Sequence, residues 1–189
     1  MRILYYVHDM EFPLREGVRK QAWWLAQAMN ARGHEVVIVS TSGRKREETI
    51  GGIKIFYGGA FQVAGAVSGK NFDVAHYISH PTPLIVPLML RVKTKRSVMT
   101  MFDGNLNGFW KKLWNPIISW LCNRTLDTVT VQTEYQAKLL KRTSIKTVTE
   151  IIPPILPVLK RTCKRSKNPS LLFMSHMHPN KGINEVIEA

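Results

Sequence analysis

The run RILYYV at residues 2–7 lacks polar alternation, so a strand formed there must be buried on both faces. Polar, glycine-containing HDMEFPLREG follows it. Val18, Ala22, Leu25, Ala26 and Met29 then fall on one stripe at helical spacing. Gly33 ends that helix, and EVVIVS supplies a second buried run. Further strands are expected at IKIFY, VAHYI, SVMTMF, TVTVQT, TVTEII and SLLFMS, with helical patterns between several of them, notably EYQAKLLKR. Strands alternating with helices in this way predict an α/β fold, a Rossmann-like doubly wound parallel sheet. No internal repeat of solenoid period is present.

Such a sheet needs one good core, and 189 residues of 44% hydrophobic content supply it with the start of a second. The stretch PPILPVLKRTCKRSKNPS carries four prolines and a basic cluster and suits a linker. The expected division is therefore a Rossmann-like domain over 1–156, a basic linker over 157–169, and the first strand and helix start of another α/β domain over 170–189.

Lys and Arg number 27 against 13 Asp and Glu, a net charge of +14, which favours anionic partners: nucleic acid, acidic lipid or a phosphorylated substrate. Cys122 and Cys163 have no metal-like spacing, and two thiols in a chain this size read as a reduced, cytoplasmic protein. The N-terminal segment is too short and too polar after Val7 for a signal peptide. No stretch reaches the roughly 18 apolar residues of a membrane span. No His, Cys or Asp constellation predicts a metal site.

GFWKKLWNPIISWLCNR is the least ordinary segment. On a helical wheel Phe109, Leu113, Ile117 and Trp120 gather on one side, with Trp110, Trp114 and Leu121 widening the arc and Lys111, Lys112, Asn115, Ser119 and Asn123 opposite. Pro116 is expected to divide it into two short helices. Trp110, Trp114 and Trp120 beside Lys111 and Lys112 suit an anionic membrane surface. An ordinary helix packing its apolar face on the sheet fits nearly as well.

Six pieces in order resemble the family-4 glycosyltransferases of the two-Rossmann-domain (GT-B) type. EGVRKQAWWLAQAMNARGHEVVIVS is similar to the family's Gly-loop, helix and second strand. FDVAHYISHPTPL resembles its Asp-Val-x-His strand end, and SVMTMFDG stands where it has Thr-x-His-Asp. LDTVTVQTEYQAKLL resembles Asp-x-Val-x-x-x-Ser-Glu, with Thr133 in the serine place. EIIPPI resembles the Ile-Pro-Asn-Gly segment before the linker. LLFMSHMHPNKGINEVIEA resembles the Leu-Phe-Val-Gly-Arg-Leu-x-Pro-Glu-Lys-Gly stretch that opens the donor domain.

The resemblance implies a nucleotide-diphosphate sugar as donor substrate, no bound cofactor and a hydroxyl acceptor, with retention at the anomeric carbon. Lys181 would hold the donor diphosphate, with Gly182 permitting close approach and the following helix offering its N-terminus. On the local sequence alone, an exposed lysine beside a capping turn is the simpler reading; the family context reverses it. His176 stands where the family usually has a second cation, an arginine, and Phe102 replaces a catalytic-site histidine. Asp103, the only catalytic candidate, could accept a hydrogen bond from a sugar hydroxyl, but beside Gly104 it is equally a turn former.

His8 and Asp9 end the first strand, where a doubly wound sheet lines its ligand cleft. Gly17 would admit a donor phosphate or sugar, and Arg15 and Arg19 would add charge, although solvated surface fits each of them as well. His76 ends FDVAH at a cleft edge or sits in the core, and His80 in SHPTP is open between loop function and turn chemistry.

The resulting expectation is the acceptor-side part of a hexosyltransferase-type enzyme, inactive as 189 residues alone because the rest of the donor domain is absent. It would be cytoplasmic and peripheral at the inner membrane face, with a lipid-linked or membrane-associated acceptor. The alternative is a non-catalytic, membrane-docking, acceptor-binding subunit that needs a separate donor-domain chain. Nucleic-acid binding through RVKTKR and KRTCKRSK ranks last, since neither cluster has interleaved aromatics or a reading helix.

Overall fold

Strand β1 (Arg2–Val7) forms as the apolar run predicts, and helix α1 (Gly17–Ala31) follows it. The left-handed Gly33 (φ 80°) closes that helix, its N–H bonding Asn30 O at 2.9 Å, and β2 (Glu35–Ser40) begins at once. The computed structural model describes residues 1–14, 16–79, 82–101, 109–141, 145 and 148–152, with the backbone alone at 109–115, 118, 139, 148 and 149. The expected strand SLLFMS, the linker and the donor-domain start lie outside the described residues.

After β2 come β3 (Arg46–Ile50), β4 (Ile53–Tyr57) and α2 (Ala60–Val67). Then follow β5 (Asn71–Ile78), a 3₁₀ turn at Pro83–Ile85, α3 (Val86–Arg91) and β6 (Lys93–Met101). Helix α4 (Phe109–Thr125), β7 (Thr128–Val131), α5 (Glu134–Lys141) and β8 (Val148–Ile151) complete the order. The eight strands lie in the order β3-β4-β2-β1-β5-β6-β7-β8, all parallel except β3, which runs antiparallel to β4. The sheet is the Rossmann-like one expected, with one antiparallel edge added. That edge, REETI, carries too little apolar character to signal a strand. It forms because Gly51 (φ 56°) and Gly52 (φ 79°) make a two-residue turn that returns the chain onto β4.

Strands β1, β2, β4 and β5 each feed two cores, while β6 and β7 feed one. Ile3, Tyr5 and Val7 of β1 face α1 with Ala22, Ala26, Ile38 and Ile55. Leu4 and Tyr6 face the opposite way, into a larger cluster with Val63 and Val67 of α2, Leu88 of α3, Leu121 and Cys122 of α4 and Leu140 of α5. Helix α1 therefore covers one face and α2 to α5 the other, as right-handed crossovers require when the strand order reverses at β1. The reversal leaves a crevice at the carboxyl ends of β1 and β5.

Helix α4 differs from its helical-wheel reading. It runs unbroken through Pro116, where two short helices were expected. Proline removes one backbone bond but does not end a helix that tertiary packing holds. The faces are also partly exchanged: Leu121 is buried and Asn123 exposed as expected, but Ser119 is buried beside Cys122, while Ile117 is 57% and Trp120 59% exposed. The wheel weighted hydrophobicity, whereas the small side chains of Ser119 and Cys122 take inward positions and the Trp120 indole does not.

Candidate active site

On the β1 side of this crevice, the loop after β1 is tied to the end of β2. Ser40 Oγ accepts the Met10 N–H at 2.8 Å and lies 3.0 Å from Ser42 Oγ, which sews the β1 loop to the end of β2. Asp9 takes a left-handed conformation (φ 52°) that a short polar side chain tolerates. Its carboxylate accepts from Arg19 Nη2 at 2.7 Å, and Glu16 lies 3.4 Å from the same nitrogen. Arg19 is thus spent on two carboxylates and mostly enclosed. Neither the free cleft cation nor the solvated surface residue describes it: it clasps the β1 loop to the first turn of α1.

His8 is exposed, directly after β1, with Nδ1 2.9 Å from Thr41 Oγ1, which is itself 2.8 Å from the Tyr6 hydroxyl. Burial raises the Tyr6 pKa and keeps the phenol a donor. When Tyr6 donates to Thr41, Thr41 donates to His8 Nδ1, and the ring carries its proton on Nε2. Thr41 is a site residue that the sequence reading missed; its only signal is a hydroxyl just past a buried strand.

Gly17 opens α1, whose cap residue Glu16 makes no side-chain cap bond. The first N–H groups of α1 are thereby left to a ligand or water. A Cβ built on Gly17 meets nothing within 4 Å, and its φ is not left-handed. The fold does not require glycine there.

His76 belongs to the core reading. It sits two residues inside β5, with its ring centroid 5.5 Å from that of Tyr5 and Nε2 2.6 Å from Thr100 Oγ1. Thr100 continues to Thr130 Oγ1 at 2.6 Å, a polar row across three strands. Burial pushes the His76 pKa down to about 4. A neutral imidazole held this way is a structural group.

Asp73 and Asp127 are structural as well. Asp127 accepts the Ser97 N–H at 2.7 Å, which with Arg96 holds its carboxyl below the usual range. Asp73, lowered first by Lys95, takes Lys95 Nζ at 2.7 Å and the Arg2 N–H at 2.8 Å. Thr133 caps α5, its Oγ1 accepting the Gln136 N–H while Gln136 Oε1 accepts the Thr133 N–H. Gln132 Nε2 lies 3.3 Å from Gln21 Oε1, joining the end of β7 to α1.

The structure therefore brings together His8, Asp9, Gly17 and Arg19 and sets His76 apart. Arg15, His80, Asp103, His176, Lys181 and Gly182 lie outside the described residues. Trp110, Lys111, Lys112 and Trp114 fall on the backbone of α4, with side chains outside them. Among the described residues no group of His, Cys, Asp and Glu could hold a metal ion. Cys122 is buried, and burial raises its thiol pKa to about 11, well away from nucleophile chemistry.

A family model described as Glycosyltransferase Family 4 matches residues 15–157. The chain belongs to glycosyltransferase family 4. No curated protein matches the sequence. Of the solved structures that match, sucrose-phosphate synthase from Thermosynechococcus elongatus superposes with a TM-score of 0.54 at 13% identity, over 80% of this chain and 47% of that one. That likeness shows the fold, a GT-B N-terminal domain, and the chain spans about half the length of the synthase. Among the described residues no helix is long and apolar enough to cross a membrane.

Proposed function

We propose that the chain supplies the acceptor-side wall of a cleft that transfers a hexose from a nucleotide-diphosphate sugar to a hydroxyl acceptor at a membrane surface. The observation that supports this reading is the family-4 match across residues 15–157, taken together with His8, Asp9 and Gly17 between the end of β1 and the start of α1, where the strand order reverses. Each has a role there. Gly17 lets the sugar or phosphate approach the backbone at the start of α1, where unpaired N–H groups favour oxygen ligands. His8 offers a fixed N–H to a substrate oxygen, and the Asp9–Arg19 clasp keeps the loop open in one conformation. Lys181, with Gly182 and His176, would bind the leaving diphosphate from the donor side, the cationic stabilisation that sugar transfer needs. Arg15 and Asp103 would complete the near wall.

The acceptor is placed at an acidic membrane, with the protein cytoplasmic and peripheral, because Ile117 and Trp120 stand out from α4 in a chain of net charge +14. Trp110 and Trp114, with Lys111 and Lys112, belong to the same contact.

Gly17→Ala tests the site without disturbing the fold. Alanine in the first turn should raise stability by about 0.4–1 kcal/mol, since nothing opposes its methyl group. Nuclear magnetic resonance titration with UDP-, GDP- and ADP-linked hexoses should shift the amides of residues 8–9 and 16–19 for one of them. The variant should bind that sugar ~10-fold or more weakly. Equal affinity in the variant, or no response at those amides to any of the three donors, overturns the reading.

A further inference from the structure

Helix α2 and the edge hairpin β3–β4 enclose a groove of about 740 Å³, within the size range of ligand sites. Its charge is lopsided. Lys45, Arg46, Lys54 and Lys70 line it against one carboxylate, Glu47, and Lys54 takes that carboxylate. Among the described residues no carboxylate pairs with Lys45, Arg46 or Lys70. Instead the cations lean on aromatic faces. Lys54 and Lys70 stand 5.1 and 5.0 Å from the Phe56 ring centroid, and the Arg46 guanidinium lies 4.1 Å over Tyr57. Gathering like charges in one groove is unfavourable, and a bound anion relieves that repulsion. Gly65 keeps the α2 wall low, with nothing within 4 Å of a Cβ built there.

The rim says which anion. Phe61 is 69% exposed, and the Arg91 guanidinium lies 5.7 Å from its ring. Leu90 on the adjacent α3 is 65% exposed. The other exposed large apolar side chains of the described helices, Leu84, Ile117, Trp120 and Tyr135, lie on the same helical layer, and none lies on α1. A soluble polyanion has no use for exposed phenylalanine and leucine, whereas a bilayer buries both beside its phosphates.

We propose that this groove seats the phosphate headgroups of an acidic bilayer, with Phe61 and Leu90 entering the headgroup–acyl boundary next to it. The proposal rests on the membrane reading above and adds a second, headgroup-binding contact to that of α4.

Co-sedimentation of the full chain with phosphatidylcholine vesicles containing about one-third phosphatidylglycerol tests it. Lys45→Glu with Lys70→Glu should weaken binding at least ~10-fold, as the loss of two near-surface cations implies. Lys20→Glu with Arg32→Glu, an equal charge change on α1 and the residue that caps it, should change it by less than ~3-fold. Phe61→Ser with Leu90→Ser should reduce the binding that persists at high salt, leaving the share that Ile117 and Trp120 supply. Equal weakening by the two charge-reversed pairs would mean that only the overall field attracts the chain, and the groove proposal falls. Displacement by inorganic phosphate at matched ionic strength would make the groove a soluble-anion pocket and also overturn it. If Ile117→Ser with Trp120→Ser abolishes binding while the groove variants do not change it, α4 docks alone and the membrane reading survives without the groove. A wild-type chain that ignores acidic vesicles at low salt removes both.

Discussion

His76 shows how a single residue's surroundings decide its role. Its imidazole is wedged between Tyr5 and Thr100, and burial holds its pKa near 4 against about 6.5 in an unfolded chain. Between those values the unfolded state binds more protons, so stability must rise with pH across that window. It is fully present above the unfolded value, lost as pH falls toward 4, and amounts to about 3 kcal/mol. Urea unfolding of the wild type should therefore weaken steadily from pH 6.5 to 4.5. His76→Gln should flatten that slope, leaving the carboxylate losses of Asp73 and Asp127 to appear only in stronger acid. A variant as pH-sensitive as the wild type would show that His76 is already solvated. The sequence brought His76 no further than two readings, because a histidine at a strand end and one inside a strand differ only in where pairing stops. For His8 the position was legible but the Thr41 contact was not, since it joins two strands 33 residues apart.

Among the elements, α4 departs most from its pattern. Hydrophobic periodicity located RILYYV, EVVIVS and IKIFY to the residue, because a parallel strand buried on both faces leaves one choice of boundary. It missed β3, which is held by a turn and a partner, and the short α2 and α3, whose apolar runs carry too few turns to show a period. In α4 it found the helix and the inward Leu121, but it put Ser119 outside and Ile117 and Trp120 inside. The consequence is measurable. Ile117→Ser and Trp120→Ser should each shift stability by no more than about 0.5–1 kcal/mol, the scale of a surface change plus the Arg124 contact over the Trp120 ring. Leu121→Ala, at 4% exposure, should cost about 2–5 kcal/mol. The opposite ranking in thermal unfolding would return Ile117 and Trp120 to the core and take away the exposed apolar side chains on which α4's membrane contact depends.

For the domain as a whole, the two cores cannot be separated, because the same strands build both. Leu4 and Tyr6 point into the cluster under α2 to α5, and Ile3, Tyr5 and Val7 into the cluster under α1. Strands β2 and β4 alternate in the same way, with Val37, Val39 and Phe56 on one side and Val36, Ile38, Ile55 and Tyr57 on the other. Losing either helical layer strips one face of β1, β2, β4 and β5, so neither layer should persist without the other. The crevice depends on this, since Ser40, Thr41 and the β1 loop hang from β1 and β2, which both cores grip. Two variants test the coupling: Ile38→Ala on the α1 side and Leu88→Ala on the other, both fully buried and each expected to cost about 2–5 kcal/mol. Unfolding in urea should give one transition per protein. Its midpoint should be the same by far-ultraviolet circular dichroism as by tryptophan fluorescence, which reports Trp23 and Trp24 on α1 together with the tryptophans of α4. Each variant should move the whole curve with little change in slope. A transition that splits in the Ile38→Ala protein, with the circular dichroism signal outlasting the fluorescence change, would mean that α1 and the crevice it frames can open while the rest of the sheet stays folded.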